Sequence, residues 1–256
     1  MKWMNKEKVK KKVALITGAS KGIGAEIAFK LAKDGFQVVI NYFQSKEKAE
    51  KVLKRIVDDG GNGIIYQADV TDSYQVEKMF EKIKQLFGGI EILVNNAGGK
   101  IVNKSFKDLS WEDIEFHINV LVKGAFNTCK YVIPIMEEQG MGKIINITSI
   151  YTDNAPPIKT YDYILAKSAL SSFTKSLAVE YGAKGIRVNN VSPGMIETTL
   201  IGNIPEKTKL ITQMQTPLRR LGTAKNVADV VLALAGNAGD YITGETIRVC
   251  GGQKMI

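Results

Sequence analysis

Seven short apolar runs punctuate the chain near residues 12–16, 37–41, 63–67, 90–94, 143–148, 186–191 and 245–249, and the stretches between them carry helical patterning. Runs that alternate little read as strands covered on both faces, and strands separated by helices predict parallel βαβ units. Right-handed crossovers then place helices on both faces of one doubly wound, Rossmann-like α/β sheet. They also open a crevice at the C-terminal strand ends. The pattern predicts one domain over residues 12–256, with long apolar helices around Trp111 to Glu138 and Tyr161 to Gly182.

Candidate chemistry falls at those strand ends. Val13, Ala14, Leu15 and Ile16 feed the loop Thr17-Gly18-Ala19-Ser20-Lys21-Gly22-Ile23-Gly24, followed by a helix from about Ile23 to Lys33. In such a loop Gly18 permits a tight turn, Gly22 lets backbone approach a pyrophosphate, and Gly24 allows close packing, with the helix N-terminus facing the phosphates. Ser149 ends the run from Lys143 to Thr148. Asn119 interrupts the apolar stretch of Ile118, Val120, Leu121 and Val122, where a buried amide needs a partner. Tyr163 and Lys167 stand four residues apart, on one helix face. A nearby ammonium favours the phenolate, so the spacing predicts that the tyrosine titrates below its usual value of about 10. Each feature alone also has a plain structural reading, as a solvated pair, a strand-end hydroxyl or a core amide.

In combination, Thr17-Gly18, Gly22-Ile23-Gly24, Asn95-Asn96-Ala97-Gly98, Asn119, Ser149, Tyr163-x-x-x-Lys167 and Pro193-Gly194 resemble the short-chain dehydrogenase/reductases over about residues 12 to 252. Within that family the chain looks most like the 3-oxoacyl-[acyl-carrier-protein] reductases. The resemblance implies that Ser149 and Tyr163 bond a substrate carbonyl and that Tyr163 gives it a proton. Lys167 would hold the cofactor ribose and lower the tyrosine's pKa, and Asn119 would anchor a relay water. It also implies cofactor contacts from Gly18, Ser20, Lys21, Gly22, Ile23 and Gly24, from Asp69 and Val70 beside the adenine, from Asn96, Ala97 and Gly98, and from Pro193, Gly194, Ile196 and Thr198. Enoyl reductases of the superfamily usually carry the tyrosine seven residues before the lysine. Thr160 stands there instead.

The second strand ends in Asn41 and Tyr42, where an NAD site usually offers a carboxylate to the ribose 2′-hydroxyl. No acid stands there. Lys21 and Lys46, helped by Asn41 and Ser45, are expected to meet a 2′-phosphate, which favours NADPH over NADH. Substrate choice is expected from the segment after Ser149, with Ile150, Tyr151, Ala155, Pro156, Pro157 and Ile158, and from an amphipathic lid carrying Leu200, Ile201, Ile204, Leu210, Ile211 and Met214. An apolar lid favours a 3-oxoacyl thioester. Another secondary alcohol, polyol or sugar, or a non-catalytic NADP(H)-binding scaffold, remains open as an alternative.

Composition changes this picture little. Lys2, Lys6, Lys8, Lys10, Lys11 and Lys12 against Glu7 give a net +5 of the chain's +9, so the charge belongs to a basic arm over residues 1–11 and the residue beyond it. A solvated tail is expected, with no nucleic-acid or membrane partner. Met1 to Lys12 lacks an apolar stretch and no run is long enough to span a bilayer, so a cytoplasmic location is expected. The two cysteines, Cys129 and Cys250, have no metal-type spacing, and no metal site is expected. The single histidine, His117, has no visible triad partner and is expected to be a surface or core residue. The family resemblance further implies a homotetramer, and docking of an acyl carrier protein with Lys184 as one basic contact.

Overall fold

The computed structural model describes residues 12–99, 101, 103–153, 155–198 and 204–255. The basic arm expected over residues 1–11, and Leu200 and Ile201 of the expected lid, lie outside them. The chain runs through β1 (Val13–Ile16), α1 (Gly22–Lys33), β2 (Gln37–Tyr42), α2 (Lys46–Asp58), β3 (Asn62–Gln67), α3 (Ser73–Phe87) and β4 (Ile92–Asn95). It continues through α4 (Trp111–His117), α5 (Gly124–Gln139), β5 (Gly142–Ile147), α6 (Tyr161–Tyr181), β6 (Ile186–Pro193) and β7 (Ile196–Glu197). The last elements are α7 (Glu206–Gln215), β8 (Gly222–Thr223), α8 (Ala224–Ala235) and β9 (Thr246–Val249).

β1 shows why the strands read as unbroken apolar runs. Ala14 and Ile16 pack with residues of α1 and α8, whereas Val13 and Leu15 pack with α3, α5 and α6 on the opposite face. Side chains alternate across a strand, so a strand covered on both sides is apolar at every position. The seven predicted strands form one parallel sheet in the order β3-β2-β1-β4-β5-β6-β9, and β7 pairs with β8 in a separate short ladder. The order reverses between β1 and β4, which opens the crevice beyond their C-terminal ends.

Local signals set the helix ends. Asp72 accepts from the amides of Tyr74 and Gln75 to start α3, and Gly88 ends it in the left-handed conformation at φ 80°. Reciprocal capping boxes, Ser110 with Asp113 and Thr223 with Asn226, start α4 and α8.

The helix predicted from Trp111 to Glu138 is continuous but not regular. Residues Ile118–Lys123, between α4 and α5, are π-helical, with the Gly124 amide donating to the Asn119 carbonyl. Gly124, where the widened turn ends, lies so close to Val70 that a Cβ there would stand 2.7 Å from Val70 Cγ2.

A buried polar ladder crosses the sheet beneath the strand ends. Thr128 Oγ1 donates to Asn95 Oδ1 (2.7 Å), Asn95 Nδ2 to Asn146 Oδ1 (2.8 Å), and Asn146 Nδ2 to Thr174 Oγ1 (2.7 Å). Thr174 Oγ1 then donates to Asn190 Oδ1 at 2.7 Å. It joins α5, β4, β5, α6 and β6 in one satisfied network.

Candidate active site

Two loops meet at the C-terminal ends of β1 and β4. Thr17 Oγ1 accepts from the amides of Asn96 and Ala97, each at 3.0 Å, and Asn96 Nδ2 donates back to the carbonyls of Thr17 (2.9 Å) and Gly18 (3.2 Å). Gly18 adopts φ 60°, and a Cβ there would lie 2.8 Å from Ala97 Cα, so glycine is required twice over. A Cβ on Gly24 would lie 2.4 Å from Asn96 Nδ2. Gly24 thus packs α1 against the Asn96 amide.

Gly22, at φ 59°, instead faces open space bordered by Thr198, whose Cβ lies 3.8 Å from the position a Cβ would take. No side chain caps the start of α1, and Lys21 is exposed beside it. Uncapped helix amides behind an uncrowded glycine suit an approaching diphosphate, so this cradle fits a dinucleotide. Ser20 and Ile23 flank it, both partly exposed.

Around the adenosine side, the expectations divide. Asp69 Oδ1 accepts from the amide and hydroxyl of Thr71, both at 2.9 Å, which fixes the loop after β3. Val70 is buried under Gly124, and its carbonyl accepts from Asn127 Nδ2 at 2.8 Å. Ser45 is partly exposed at the start of α2, and the exposed Lys46 lies 3.8 Å from Glu50. Asn41 corrects the reading made above. It is 2% exposed; its Oδ1 accepts from the Gly18 amide (3.2 Å) and its Nδ2 donates to the Ala68 carbonyl (3.0 Å). Its amide is consumed in bracing the loop and offers no donor to a 2′-phosphate.

On the other side of the crevice, Gly98 is exposed after β4, and Pro193 ends β6. The Gly194 amide donates to the Val249 carbonyl at 3.0 Å, which docks this turn on β9. Ile196 is buried in β7.

Ser149 follows β5 buried, its Oγ accepting from the Tyr151 amide at 3.4 Å, and its hydroxyl faces the Tyr163 phenol and favours the ionised form. One turn further along α6, Lys167 Nζ lies 5.6 Å from the centroid of the Tyr163 ring and donates to the Ile147 carbonyl at 2.5 Å. Asn119 is partly exposed in the π-helical segment, which packs against α6. Its side chain is therefore not the buried amide expected, and its backbone carbonyl accepts from the Gly124 amide.

The pKa expectation for the pair is overturned. Tyr163 is partly exposed, yet desolvation pushes its pKa up to about 12 against the lowering effect of Ser149. Burial likewise pushes Lys167 down to about 7. The ammonium is turned to the Ile147 carbonyl, so enclosure outweighs its attraction for a phenolate.

His117 takes one of the two places expected of it, the core, but not without a partner. It is fully buried and does have an acidic partner, Asp162, with Nδ1 3.0 Å from Oδ2. Desolvation holds its pKa below the usual imidazole value, opposed by Asp162. The pair went unseen because 45 positions separate its members, a distance over which sequence patterning carries no signal. The bracing roles of Thr17 and Asn95, both present in the motifs, and the ladder on to Asn190 have no local signal beyond asparagines standing inside apolar strands.

Comparison with known proteins fits this arrangement. A family model described as enoyl-(acyl carrier protein) reductase matches residues 18–254. The chain is 38% identical over 246 residues to the 3-oxoacyl-[acyl-carrier-protein] reductase FabG of Staphylococcus aureus, covering 95% of this chain and 98% of that protein. This chain belongs to the short-chain dehydrogenase/reductase family. Other members similar to it include the Thermotoga maritima FabG, 36% identical over 94% of this chain and 97% of that one. The 3-oxoacyl-[acyl-carrier-protein] reductase of Synechocystis sp. is 38% identical over 95% and 97%. As a short-chain dehydrogenase/reductase, it is an NAD(P)-dependent oxidoreductase acting on CH–OH groups. Among the described residues, no helix is long and apolar enough to cross a membrane.

Proposed function

We propose that this short-chain dehydrogenase/reductase reduces a 3-oxoacyl thioester with NADPH, and that Tyr163 is the proton donor. The placing of the Ser149 hydroxyl beside the Tyr163 phenol, with Lys167 one turn along α6, carries the reading. Two hydroxyls on one side of the crevice converge on a carbonyl oxygen, and a phenol whose pKa is raised is protonated throughout the working range, as a donor must be. Ser149 orients the carbonyl, Tyr163 delivers the proton to its oxygen, and Lys167 binds the ribose hydroxyls. Asn119 would hold the water from which a proton returns to Tyr163 by way of Lys167. When bound, the reduced nicotinamide supplies the hydride.

NADPH is favoured by exposed Lys21 and Lys46 and by the absence of an acid at the end of β2. The acyl substrate is favoured by α7, where Leu210, Ile211 and Met214 are exposed and only Thr212 is buried. That helix is an apolar surface available for a lid. An acyl carrier protein is the proposed carrier, met by exposed Lys123 and Lys130. Lys184 is less suited than expected, because Glu137 already holds it at 2.5 Å. The homotetramer is proposed through α4, α5 and α6, where Trp111, Phe116, Phe126, Leu165 and Val179 are exposed. Residues 12–256 act as one domain, and the chemistry proposed for the site uses no metal.

The test is oxidation of NADPH and of NADH with a short 3-oxoacyl thioester, run beside Tyr163→Phe. Expected are turnover selective for NADPH, a loss of about 100-fold or more in the variant, and cofactor affinity within about twofold of the parent. Full turnover by the variant would assign the proton to another group, and equal efficiency with both cofactors would remove the NADPH preference.

A further inference from the structure

The buried pair of His117 and Asp162 belongs to none of the roles above, yet one member adjoins the proposed proton donor in the chain and the other packs on its ring. Asp162 directly precedes Tyr163 at the start of α6. The His117 imidazole stands edge-on to the Tyr163 ring, with centroids 6.0 Å apart and planes at 84°. His117 is also the last residue of α4, immediately before the π-helical segment that carries Asn119. The Phe116 ring also meets the imidazole, at 5.2 Å and 83°.

The Tyr163 ring thus has two close neighbours, the Lys167 ammonium at 5.6 Å and the His117 ring at 6.0 Å from its centroid. Enclosing a carboxyl group and an imidazole together carries a desolvation cost that only their mutual contact offsets. That contact is short but poorly directed: neither nitrogen of His117 nor either carboxylate oxygen of Asp162 has a well-aligned hydrogen bond among the described residues. Helix packing brings the two groups together, and the contact in turn ties α4 to the first turn of α6.

We propose that His117 and Asp162 form a positioning pair for Tyr163, fixing the first turn of α6 against the Asn119 segment and holding the phenol at Ser149. The inference rests on Tyr163 being the proton donor. With the pair removed, the phenol keeps its covalent place but loses the wall that fixes its ring. A displacement on the order of 1 Å in a reacting group costs on the order of 100-fold in rate. Binding of cofactor and substrate, which draws on other residues, is spared.

The test measures kcat, KM, NADPH dissociation constant and thermal midpoint, with a short 3-oxoacyl thioester, for His117→Leu, His117→Gln, Asp162→Ala and the His117→Leu/Asp162→Ala double variant. Expected are kcat losses of about tenfold or more in both removals, with KM and cofactor affinity within about twofold. The double variant falls no further than the worse single, since one unit is lost once. His117→Gln keeps a donor facing Asp162 and recovers most of the rate. If Asp162→Ala does not fold, the two His117 variants decide. The pair is a packing feature only if folded variants keep kcat while the midpoint falls, or if Gln and Leu at 117 lose rate equally; either result overturns the proposal. Tyr163→Phe separates the two readings. Turnover retained in that variant removes the donor assignment and this proposal with it, whereas turnover lost there but kept in the pair variants removes this proposal alone.

Discussion

Lys167 Nζ donates to the Ile147 carbonyl at 2.5 Å, tying α6 to the last residue of β5 inside an enclosed pocket. The bond explains how a lysine pushed down to about 7 is tolerated there. The folded pKa lies below the ordinary 10.5, so the folded protein releases its proton first as pH rises. Between those two values the unfolded chain binds more protons, and stability rises with pH; below the folded value the cost is complete. Denaturation of cofactor-free protein at pH 6 and pH 9 is expected to show greater stability at pH 9 from this group. Lys167→Met removes that slope and stabilises at pH 6 by roughly 1–3 kcal/mol, the desolvation cost less one hydrogen bond. Identical slopes in parent and variant would show that Lys167 is not the group responsible.

Gly24→Ala presses a methyl group against the Asn96 amide, which bonds the Thr17 and Gly18 carbonyls. The amide must move, and both loops move with it. A loss of about 1–3 kcal/mol is expected, together with weaker NADPH binding by fluorescence titration. Unchanged stability and affinity would mean that Asn96 yields freely.

Lys21→Ala combined with Lys46→Ala removes both exposed ammoniums proposed for the 2′-phosphate. kcat/KM with NADPH is expected to fall about tenfold or more, while the value with NADH stays within about twofold. A parallel fall with both cofactors would place the lysines elsewhere in catalysis or folding.

Thr174→Val keeps shape but strands the Asn146 donor and the Asn190 acceptor inside the sheet. A cost of about 2–4 kcal/mol is expected from urea unfolding, largely restored by Thr174→Ser. A cost below about 0.5 kcal/mol would show that the ladder re-pairs without it.

Much of the fold was legible because its rules are local. Strand β1 is apolar at every position for a reason visible in the sequence, two covered faces, and the glycine loop announces its turn through residues no side chain could replace. What was not legible depends on partners distant in the chain. Asn41 looks like a ligand contact because it ends β2 beside the crevice, yet Gly18 and Ala68 claim its amide. The tyrosine's pKa was misread because spacing gives proximity to a charge but not the extent of enclosure. His117 and Asp162 meet only through the packing of α4 on α6.

The widened turn from Ile118 to Lys123 has a consequence for how one long rod serves two neighbours. A residue added to a helix rotates everything after it by about 100°. Trp111–His117 and Gly124–Gln139 are therefore aimed independently, one toward the start of α6 and the other toward α3, without a loop between them. Shortening the segment by a residue would leave a smoother helix that faces the wrong way, with Asn119 and everything beyond it turned from its neighbours. The irregularity is a joint, and its angle is written in the length of the chain.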